Sequence, residues 1–535
     1  MSEDLHREAR RKQRDAARTH AKENALSKDE HSELSLWAAI KKWNRIFWFC
    51  LGLSSTIILY GYDYVIIATV SAMPSFQYDF GEIYQGEPII PSLWLGLWSF
   101  ISPAASMPGA IFGGWLQDRI GRRWSMIAGT IISAIGVAIC YVSDLPDSKN
   151  ARRGTFLGGK ALLGGAIGMI MTICQTYMSE VLPPRLRGSL LAFFPIFTLL
   201  GQLIGSGVIF ATIDDENGHR IAFASQWAFA ALPLIISFVI PESPTYLVRK
   251  GRIDDATKAQ QRLDPKNGNV EQAIAVIEAN IEHERQQTGA TYLDCFRRVH
   301  FRRTNIILFA NCMPQFFGIT LIASASYFAQ ILGMSPNLSI LVLLLGIIIG
   351  LIANIASMWI MLRFGRRNLI VGSFAVLTGV WIVFGIGGTL ARDVVSLNSI
   401  CAVFMIAVTT IASLTVWPAS FAVSSETSAL HLRGKTQGLG WMFSGAVSAI
   451  FGFVLPYLYN PDQVNMRAKI GFVFAGLCLL AWALSWLWIP EMKGRTPAEI
   501  DRMFELKLPT RAFKTWHPDA TDRDVLAGKE TNSTV

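Results

Sequence analysis

Long apolar stretches, separated by short polar connections, run through the chain from residue 47 to residue 489. Twelve of them reach about 20 residues, the length that a helix needs to cross the hydrocarbon core of a bilayer. Because lipid offers the backbone no hydrogen-bond partners, the pattern predicts helices rather than open strands. The predicted spans lie near 47–70, 92–117, 124–142, 156–177, 189–212, 223–240, 304–332, 336–361, 368–390, 397–424, 436–458 and 468–489.

The composition favours this all-α membrane protein over other classes. Charged residues make up 16% of the 535 residues, whereas soluble domains carry about 25%. The net charge of +9 lies mostly in the N-terminal tail and one central loop, which indicates membrane-protein loops and not a nucleic-acid surface. The seven cysteines lack metal-ligand spacing. We therefore predict no metal, no cofactor, no nucleic-acid partner and no enzymatic activity.

Basic residues in the connections predict which helix ends face the cytoplasm. The second-to-third, fourth-to-fifth and eighth-to-ninth connections are rich in arginine, whereas the connection 71–91 has acidic residues and neither Lys nor Arg. This pattern places both termini in the cytoplasm. The third-to-fourth connection departs from it, because Lys149, Arg152 and Arg153 fall on the predicted outside.

Three short motifs occur twice in the same order, 244 to 249 residues apart (Asp118 to Leu362, Pro241 to Pro490). The repeat predicts two six-helix halves around a central substrate site, an architecture typical of transporters. The predicted segments are a cytoplasmic N-terminal tail 1–46, an N-terminal half 47–240, a cytoplasmic central loop with short helices 241–303, a C-terminal half 304–489 and a cytoplasmic C-terminal tail 490–535.

The repeated motifs combine carboxylates with arginines at the predicted cytoplasmic helix ends. Such groups form charge-assisted hydrogen bonds between helices, and these bonds are candidates for holding the halves closed on that side. The alternative is that the arginines only orient the helices and solvate their ends. The candidate gating residues are Asp118, Arg119, Arg122, Arg123, Glu180, Arg187, Arg363, Arg366, Arg367, Glu426 and Arg433.

These motifs resemble those of the major facilitator superfamily and, within it, the sugar porter family, most closely the fungal maltose and α-glucoside permeases. The resemblance covers about residues 45–505. It rests on Gly114-x3-Asp118-Arg119-x-Gly121-Arg122-Arg123, on Glu180-x2-Pro183-x2-Leu186-Arg187-Gly188, on Pro241-Glu242-Ser243-Pro244-x-Tyr246-Leu247-Val248, on Pro490-Glu491-x-Lys493-Gly494-Arg495-Thr496, and on Gly61-Tyr62-Asp63.

Asp63 is the only carboxylate well inside a predicted span. An ionisable group there is costly and indicates a functional site. The resemblance implies proton coupling, because proton-coupled sugar porters use an aspartate at this position, paired with an arginine at the start of the fourth helix. Here the matching residue is Lys160. The alternative is a static salt bridge, and further carboxylates of α-glucoside symporters are replaced here by Tyr60 and Ser106.

The resemblance also implies a substrate site. Sugar porters hold hydroxyl groups with amides, which both donate and accept hydrogen bonds. The matching candidates here are Gln202, Gln315, Thr320, Trp417 and Phe421. Other amide positions of the family are occupied by Pro195, Pro314 and Ser444, so we predict a less polar pocket than a glucose site. The alternative for the two glutamines is hydrogen bonding between helices.

Together these features predict proton-coupled uptake of a sugar, a hexose or an α-glucoside, by alternating access. The alternatives are a carrier or exporter of a non-sugar metabolite and a sugar facilitator without proton coupling. The resemblance implies a multi-pass protein of the fungal plasma membrane that functions as a monomer, with the sugar, protons and the lipid bilayer as its partners.

Overall fold

The computed structural model describes residues 41–182, 194–263, 270–286, 292–390, 394–429, 432–495 and 497–517. In this part of the chain, twelve helices are long and apolar enough to cross a membrane, which confirms the predicted fold class. These spans are Asn44–Val70, Ser92–Ile120, Arg122–Tyr141, Lys149–Val181, Phe194–Ala211, Gly218–Val239, Arg298–Ala323, Pro336–Met361, Arg366–Leu390, Asn398–Thr427, Lys435–Tyr459 and Arg467–Trp488.

Shorter elements connect the spans. A helix, Pro74–Phe80, precedes an antiparallel hairpin of β1 (Glu82–Tyr84) and β2 (Glu87–Ile89), in which Glu82 pairs with Ile89. The turn residues Gln85 and Gly86 both have positive φ, as a two-residue hairpin turn requires. The other short helices in the described part of the chain are Pro244–Arg249, Ile253–Leu263, Val270–Gln286, Tyr292–Phe296, Ala325–Ile331, Arg467–Lys469, Pro497–Glu505 and Ala512–Lys514.

Three spans are interrupted. The first divides into helices Asn44–Leu53 and Ser55–Val70, and the tenth into Val394–Leu414 and Val416–Thr427. The seventh breaks at Gly318, which lies one turn after Pro314. Its φ of +96° is in the left-handed region. A side chain at Gly318 would also meet the rings of Phe474 and Trp381 at 3.1 Å. Such breaks within membrane helices are tolerated where they border a cavity.

Because successive spans run in opposite directions, the described chain begins and finishes at the same end of the bundle. We call this the motif end, since the turns at Gly121 and Gly365 lie there. Among the described residues, the opposite, or far, end carries the connections 71–91, 142–148, 212–217, 332–335 and 460–466.

The two halves pack through the second and eleventh spans and through the fifth and eighth. Small residues allow the first of these contacts to be close. A Cβ on Gly452 would lie 2.8 Å from the carbonyl oxygen of Ser99, and one on Gly96 would lie 2.9 Å from that of Phe453. The second span therefore presses directly on the opposite half.

The basic residues that depart from the orientation rule belong to the fourth span, which begins at Lys149, seven residues earlier than predicted. Arg152 pairs with Asp79 at 2.9 Å and Arg153 pairs with Glu82 at 2.7 Å. These two arginines are therefore neutralised by acids of the first-to-second connection, and the number of basic residues in the sequence overstates the free positive charge at this end.

The segment after the twelfth span also folds onto the motif end of the C-terminal half. Ile500, Met503, Phe504 and Phe513 are buried there. The guanidinium of Arg303, at the start of the seventh span, pairs with Asp501. The predicted C-terminal tail thus includes a docked portion that extends at least to Phe513.

Candidate functional site

The predicted pair Asp63 and Lys160 meets in the interior of the N-terminal half. Asp63 is 4% exposed and Lys160 is 1% exposed. The ammonium of Lys160 binds the Oδ1 atom of Asp63, which joins the first span to the fourth. The Oδ2 atom accepts a hydrogen bond from the hydroxyl of Ser102 in the second span, at 2.8 Å. Sequence reasoning missed Ser102, because hydroxyl residues are common in membrane helices and the packing decides which of them reaches a carboxylate.

A cavity lies between the two halves, near the interruptions of the seventh and tenth spans. Of the predicted substrate residues, Gln202 and Trp417 line it. Tyr64, Thr409 and Ser413 are the other lining residues with polar groups, and the rest of the lining is apolar or glycine. The pocket is therefore mostly apolar, in the direction that the replaced amide positions predict.

Gln315 and Thr320 lie beside this cavity rather than in its lining. The hydroxyl of Thr320 donates to Oε1 of Gln315 at 2.6 Å, across the break at Gly318. The phenol oxygen of Tyr64 is 3.5 Å from the same hydroxyl, so the two halves touch here. Tyr64 follows Asp63 directly, and the first span thus places one side chain on the ion pair and the next toward the cavity.

Phe421 belongs to an aromatic cluster on the motif side of the cavity and is not in the cavity lining. Its ring stacks on Trp441 of the eleventh span, with centroids 5.7 Å apart. Phe194, from the fifth span, lies 6.1 Å from Phe421 and 5.3 Å from Trp441. Rings from both halves therefore meet between the cavity and the motif end, which assigns Phe421 to a closing layer in this conformation.

The far end is closed by hydrogen bonds between the halves that sequence reasoning did not identify. Asp462 accepts from the backbone N–H of Ser92 at 2.9 Å and from its hydroxyl, so a carboxylate of the C-terminal half caps the second span. Asn460 donates to the carbonyl oxygen of Ile90 at 2.8 Å. Gln330 donates to the carbonyl oxygen of Ala72 at 2.7 Å.

Replacing Asp462 with alanine is expected to loosen this far-end closure. Loss of a capping side chain costs about 1 to 2 kcal/mol, which corresponds to roughly a 5- to 30-fold larger far-end-open population. We expect faster labelling by a membrane-impermeant maleimide at Ile90→Cys, a buried position of this seal. Asp214→Ala removes an exposed acid of the same end and serves as the matched control. Equal labelling rates in the two variants would contradict the assignment of Asp462 to the seal.

At the motif end, the candidate gating residues of the N-terminal half form one network. Arg122 makes a two-pronged contact with Glu180, from Nε at 3.0 Å and from Nη2 at 2.7 Å. Glu242 accepts from the backbone N–H groups of Arg122 and Arg123 and so caps the third span. Asp118 lies 3.4 Å from Arg122 and is mostly exposed. The network joins the second, third and fourth spans with the segment that follows the sixth.

The C-terminal half repeats this arrangement. Arg366 binds Glu426 at 2.8 Å, and Glu491 accepts from the backbone N–H of Arg366. Arg367 donates to the carbonyl oxygen of Trp486, as Arg123 does to those of Ser237 and Phe238 in the first half. Arg119 and Arg363 lie over tryptophan rings of their own helices.

In the part of the chain that the structure describes, each of these pairs joins elements of the same half. A bond that bridges the halves through the motifs stays a prediction. Arg187 lies outside the described residues, and only the backbone of Arg433, where the helix of the eleventh span begins, is described.

Charge also organises the far-end connections of the N-terminal half. Burial alone would raise the pKa of Asp144, but the hydrogen bond and positive charge of Arg220 lower it below its usual value. Asp79, Asp144 and His219 bring potential metal-ligand atoms within 4.8 Å of one another. Because Arg152 already pairs with Asp79 and Arg220 with Asp144, the positive charge there is supplied by arginine.

Comparison with known proteins decides the family. The model of the family described as "Sugar (and other) transporter" matches residues 49–504. The chain belongs to this sugar transporter family. Similar proteins include the MFS transporter fmqE of Aspergillus fumigatus, 28% identical over 90% of this chain and 92% of that protein. The α-glucosides permease MPH3 of Saccharomyces cerevisiae is 29% identical over 93% of this chain and 84% of that permease.

A solved structure supports the fold of this family member. The inward open conformation of the xylose transporter XylE from E. coli covers 86% of this chain and 99% of its own, with a TM-score of 0.68 and 19% identity. The resemblance to major facilitator sugar porters and to fungal permeases is thereby confirmed. The sugar transporter family member is a multi-pass membrane transporter and not an enzyme.

Proposed function

We propose that this chain takes up a sugar, a hexose or an α-glucoside, together with a proton, by alternating access across the fungal plasma membrane. The observation that carries the proposal is the ion pair of Asp63 and Lys160, buried within the span bundle. Two charges there are expensive to bury, so a purely structural contact would be replaced at little cost by apolar packing. A carboxylate that binds and releases a proton gives the pair a use.

Protonation of Asp63 removes its negative charge, and with it the charge–charge attraction for the Lys160 ammonium. The first span is then released from the fourth, while Ser102 still contacts the carboxyl group from the second. Deprotonation restores the ion pair. The proton therefore controls the contact between the first and fourth spans of the N-terminal half.

The substrate acts on the same helix from its other face. Tyr64 lines the cavity next to Asp63, and its phenol contacts Thr320 beside the break in the seventh span. A ligand in the cavity displaces or extends this contact between the halves. The first span thus senses the proton on one face and the ligand on the other, which is what coupled transport requires.

Alternating access needs closures on both sides of the cavity that open in turn. The far-end hydrogen bonds around Asp462 supply one closure, and the aromatic layer of Phe194, Phe421 and Trp441 supplies the other. The arginine and carboxylate networks hold the motif end of each half rigid. We assign the motif end to the cytoplasm, where the basic connections predict both termini, and we assign the working unit to the monomer.

A sugar is supported by the fungal permease relatives and by the amide of Gln202 in the cavity. A second candidate is a non-sugar metabolite, as import or export cargo. The observation that favours it is the cavity lining, where few polar groups are available to satisfy a hydroxyl-rich ligand. The sugar proposal requires that the open conformations bring Gln315 and Thr320 into the site.

The test is uptake of labelled glucose and labelled maltose in cells that lack their own sugar carriers, with surface expression verified. We expect accumulation of at least one sugar and its loss when a protonophore collapses the proton gradient. Uptake that ignores the protonophore would replace the symporter with a facilitator. No uptake of either sugar by protein at the cell surface would favour the non-sugar carrier.

A further inference from the structure

Ser102 contacts the second carboxylate oxygen of Asp63, the proposed proton carrier. Its hydroxyl donates to Oδ2 of Asp63 at 2.8 Å, while Lys160 holds Oδ1. We propose that Ser102 is a positioning residue that sets the pH at which Asp63 binds and releases its proton. This inference rests on the proposed proton coupling through Asp63, and it names a residue of the second span as part of that site.

The backbone holds Ser102 in place. A Cβ on Gly164 of the fourth span would lie 2.5 Å from the carbonyl oxygen of Ser102, so the two helices touch at this point. Gly164 follows Lys160 by four residues and lies on the same helix face. The packing that places the ammonium at the carboxylate therefore also places the hydroxyl there.

The next serine on the same helix provides a contrast. Ser106 lies one turn beyond Ser102, but its hydroxyl donates to the carbonyl oxygen of Pro103 at 2.7 Å. That bond is local to the helix. The two serines therefore lie on the same helix and have the same side chain, but only the hydroxyl of Ser102 contacts the carboxylate.

A donated hydrogen bond stabilises an ionised carboxylate more than its protonated form. With Ser102 present, Asp63 gives up its proton more readily; without it, the proton is held to higher pH. Among the described residues, the other titratable groups that interact with Asp63 are Lys160, the Cys140 thiol of the third span and the Tyr60 phenol of its own span. These groups remain in place when Ser102 is replaced, so a change in the protonation of Asp63 is caused by the loss of the Ser102 hydroxyl.

The experiment is an infrared pH titration of the purified full chain in lipid nanodiscs, which needs no substrate. The carboxylic acid carbonyl band of Asp63 is assigned by its disappearance in Asp63→Asn. In Ser102→Ala we expect the midpoint of this band about one pH unit higher, a tenfold change in proton affinity. Ser102→Thr keeps a hydroxyl and is expected to keep the wild-type midpoint, and Ser106→Ala is the matched control and leaves it unchanged.

The outcomes separate this inference from the proposed function. A titrating band with the same midpoint in Ser102→Ala and wild type overturns the role of Ser102 and leaves the proton site intact. A Ser102→Thr midpoint that follows Ser102→Ala also overturns it, because packing and not the hydroxyl would then be responsible. A wild-type spectrum from which Asp63→Asn removes no titrating band overturns the proton site itself, and this inference with it.

Discussion

Asp63→Asn is expected to abolish accumulation against a gradient while it leaves exchange of substrate intact. Asparagine keeps the size and hydrogen-bonding shape of the side chain but cannot carry a proton. One proton crossing a membrane potential of ~100 mV supplies about 2.3 kcal/mol. At about 1.4 kcal/mol per factor of ten, the variant loses roughly 50-fold of accumulation. The measurement is labelled sugar inside and outside proteoliposomes that carry an imposed potential.

Counterflow with equal proton concentrations on both sides is the companion measurement, because it requires the conformational cycle but no net proton movement. The variant leaves the buried ammonium of Lys160 without its carboxylate, which threatens folding. The double variant Asp63→Asn with Lys160→Met removes both charges and keeps the test informative. Retained accumulation in either variant would exclude Asp63 as the proton carrier. Asp214→Asn, at an exposed far-end position, controls for the loss of an acid.

The twelve spans were predictable because their signal is local. Each requires about 20 consecutive apolar residues, and the limits of a span follow from where that run ends. The fourth span shows the limit of this reasoning. Its helix includes Lys149, Arg152 and Arg153, because acids and a carbonyl group from the connection 71–91 form ion pairs and hydrogen bonds with these side chains. A local average of hydropathy does not include ion-pair partners that lie about 70 residues away in the sequence.

The ion pair of the site was predictable from the resemblance, since Asp63 and Lys160 stand at positions that the family pairs. Its third member was not. Whether Ser102 or Ser106 reaches the carboxylate depends on the close approach of the second and fourth spans at Gly164, which is a property of packing. The resemblance pointed to Ser106, at a position where α-glucoside symporters carry a carboxylate, and not to Ser102.

Contacts between the halves were the least predictable part of the site. Asp462 and Ser92 are 370 residues apart, and neither belongs to a recognisable motif. The position of Phe421 likewise depends on Phe194 and Trp441, which come from two other spans. Family matching assigned Phe421 to the ligand, whereas its ring packs in a layer beside the cavity in this conformation.

The two copies of the repeated motif differ in burial, which the sequence does not show. The difference predicts unequal contributions of the two ion pairs to stability. The Arg122 side chain is 2% exposed and that of Glu180 10%, whereas Arg366 and Glu426 are 19% and 27% exposed. Removing one member of a buried pair leaves an uncompensated charge and costs about 3 to 5 kcal/mol. The Arg366–Glu426 pair is more accessible to water, which screens the charges and lowers the cost of breaking it. Arg122→Ala is therefore expected to destabilise the protein more than Arg366→Ala.

The measurement is the apparent melting temperature of each purified variant, together with the amount of protein that reaches the cell surface. Arg122→Lys sharpens the comparison, since an ammonium keeps the charge but cannot make the two-pronged contact with Glu180. We expect it to fall between wild type and Arg122→Ala. Equal losses for Arg122→Ala and Arg366→Ala would mean that burial does not set the strength of these networks. The network of the N-terminal half would then be no more stable than that of the C-terminal half. It could not be the more rigid of the two networks at the motif end.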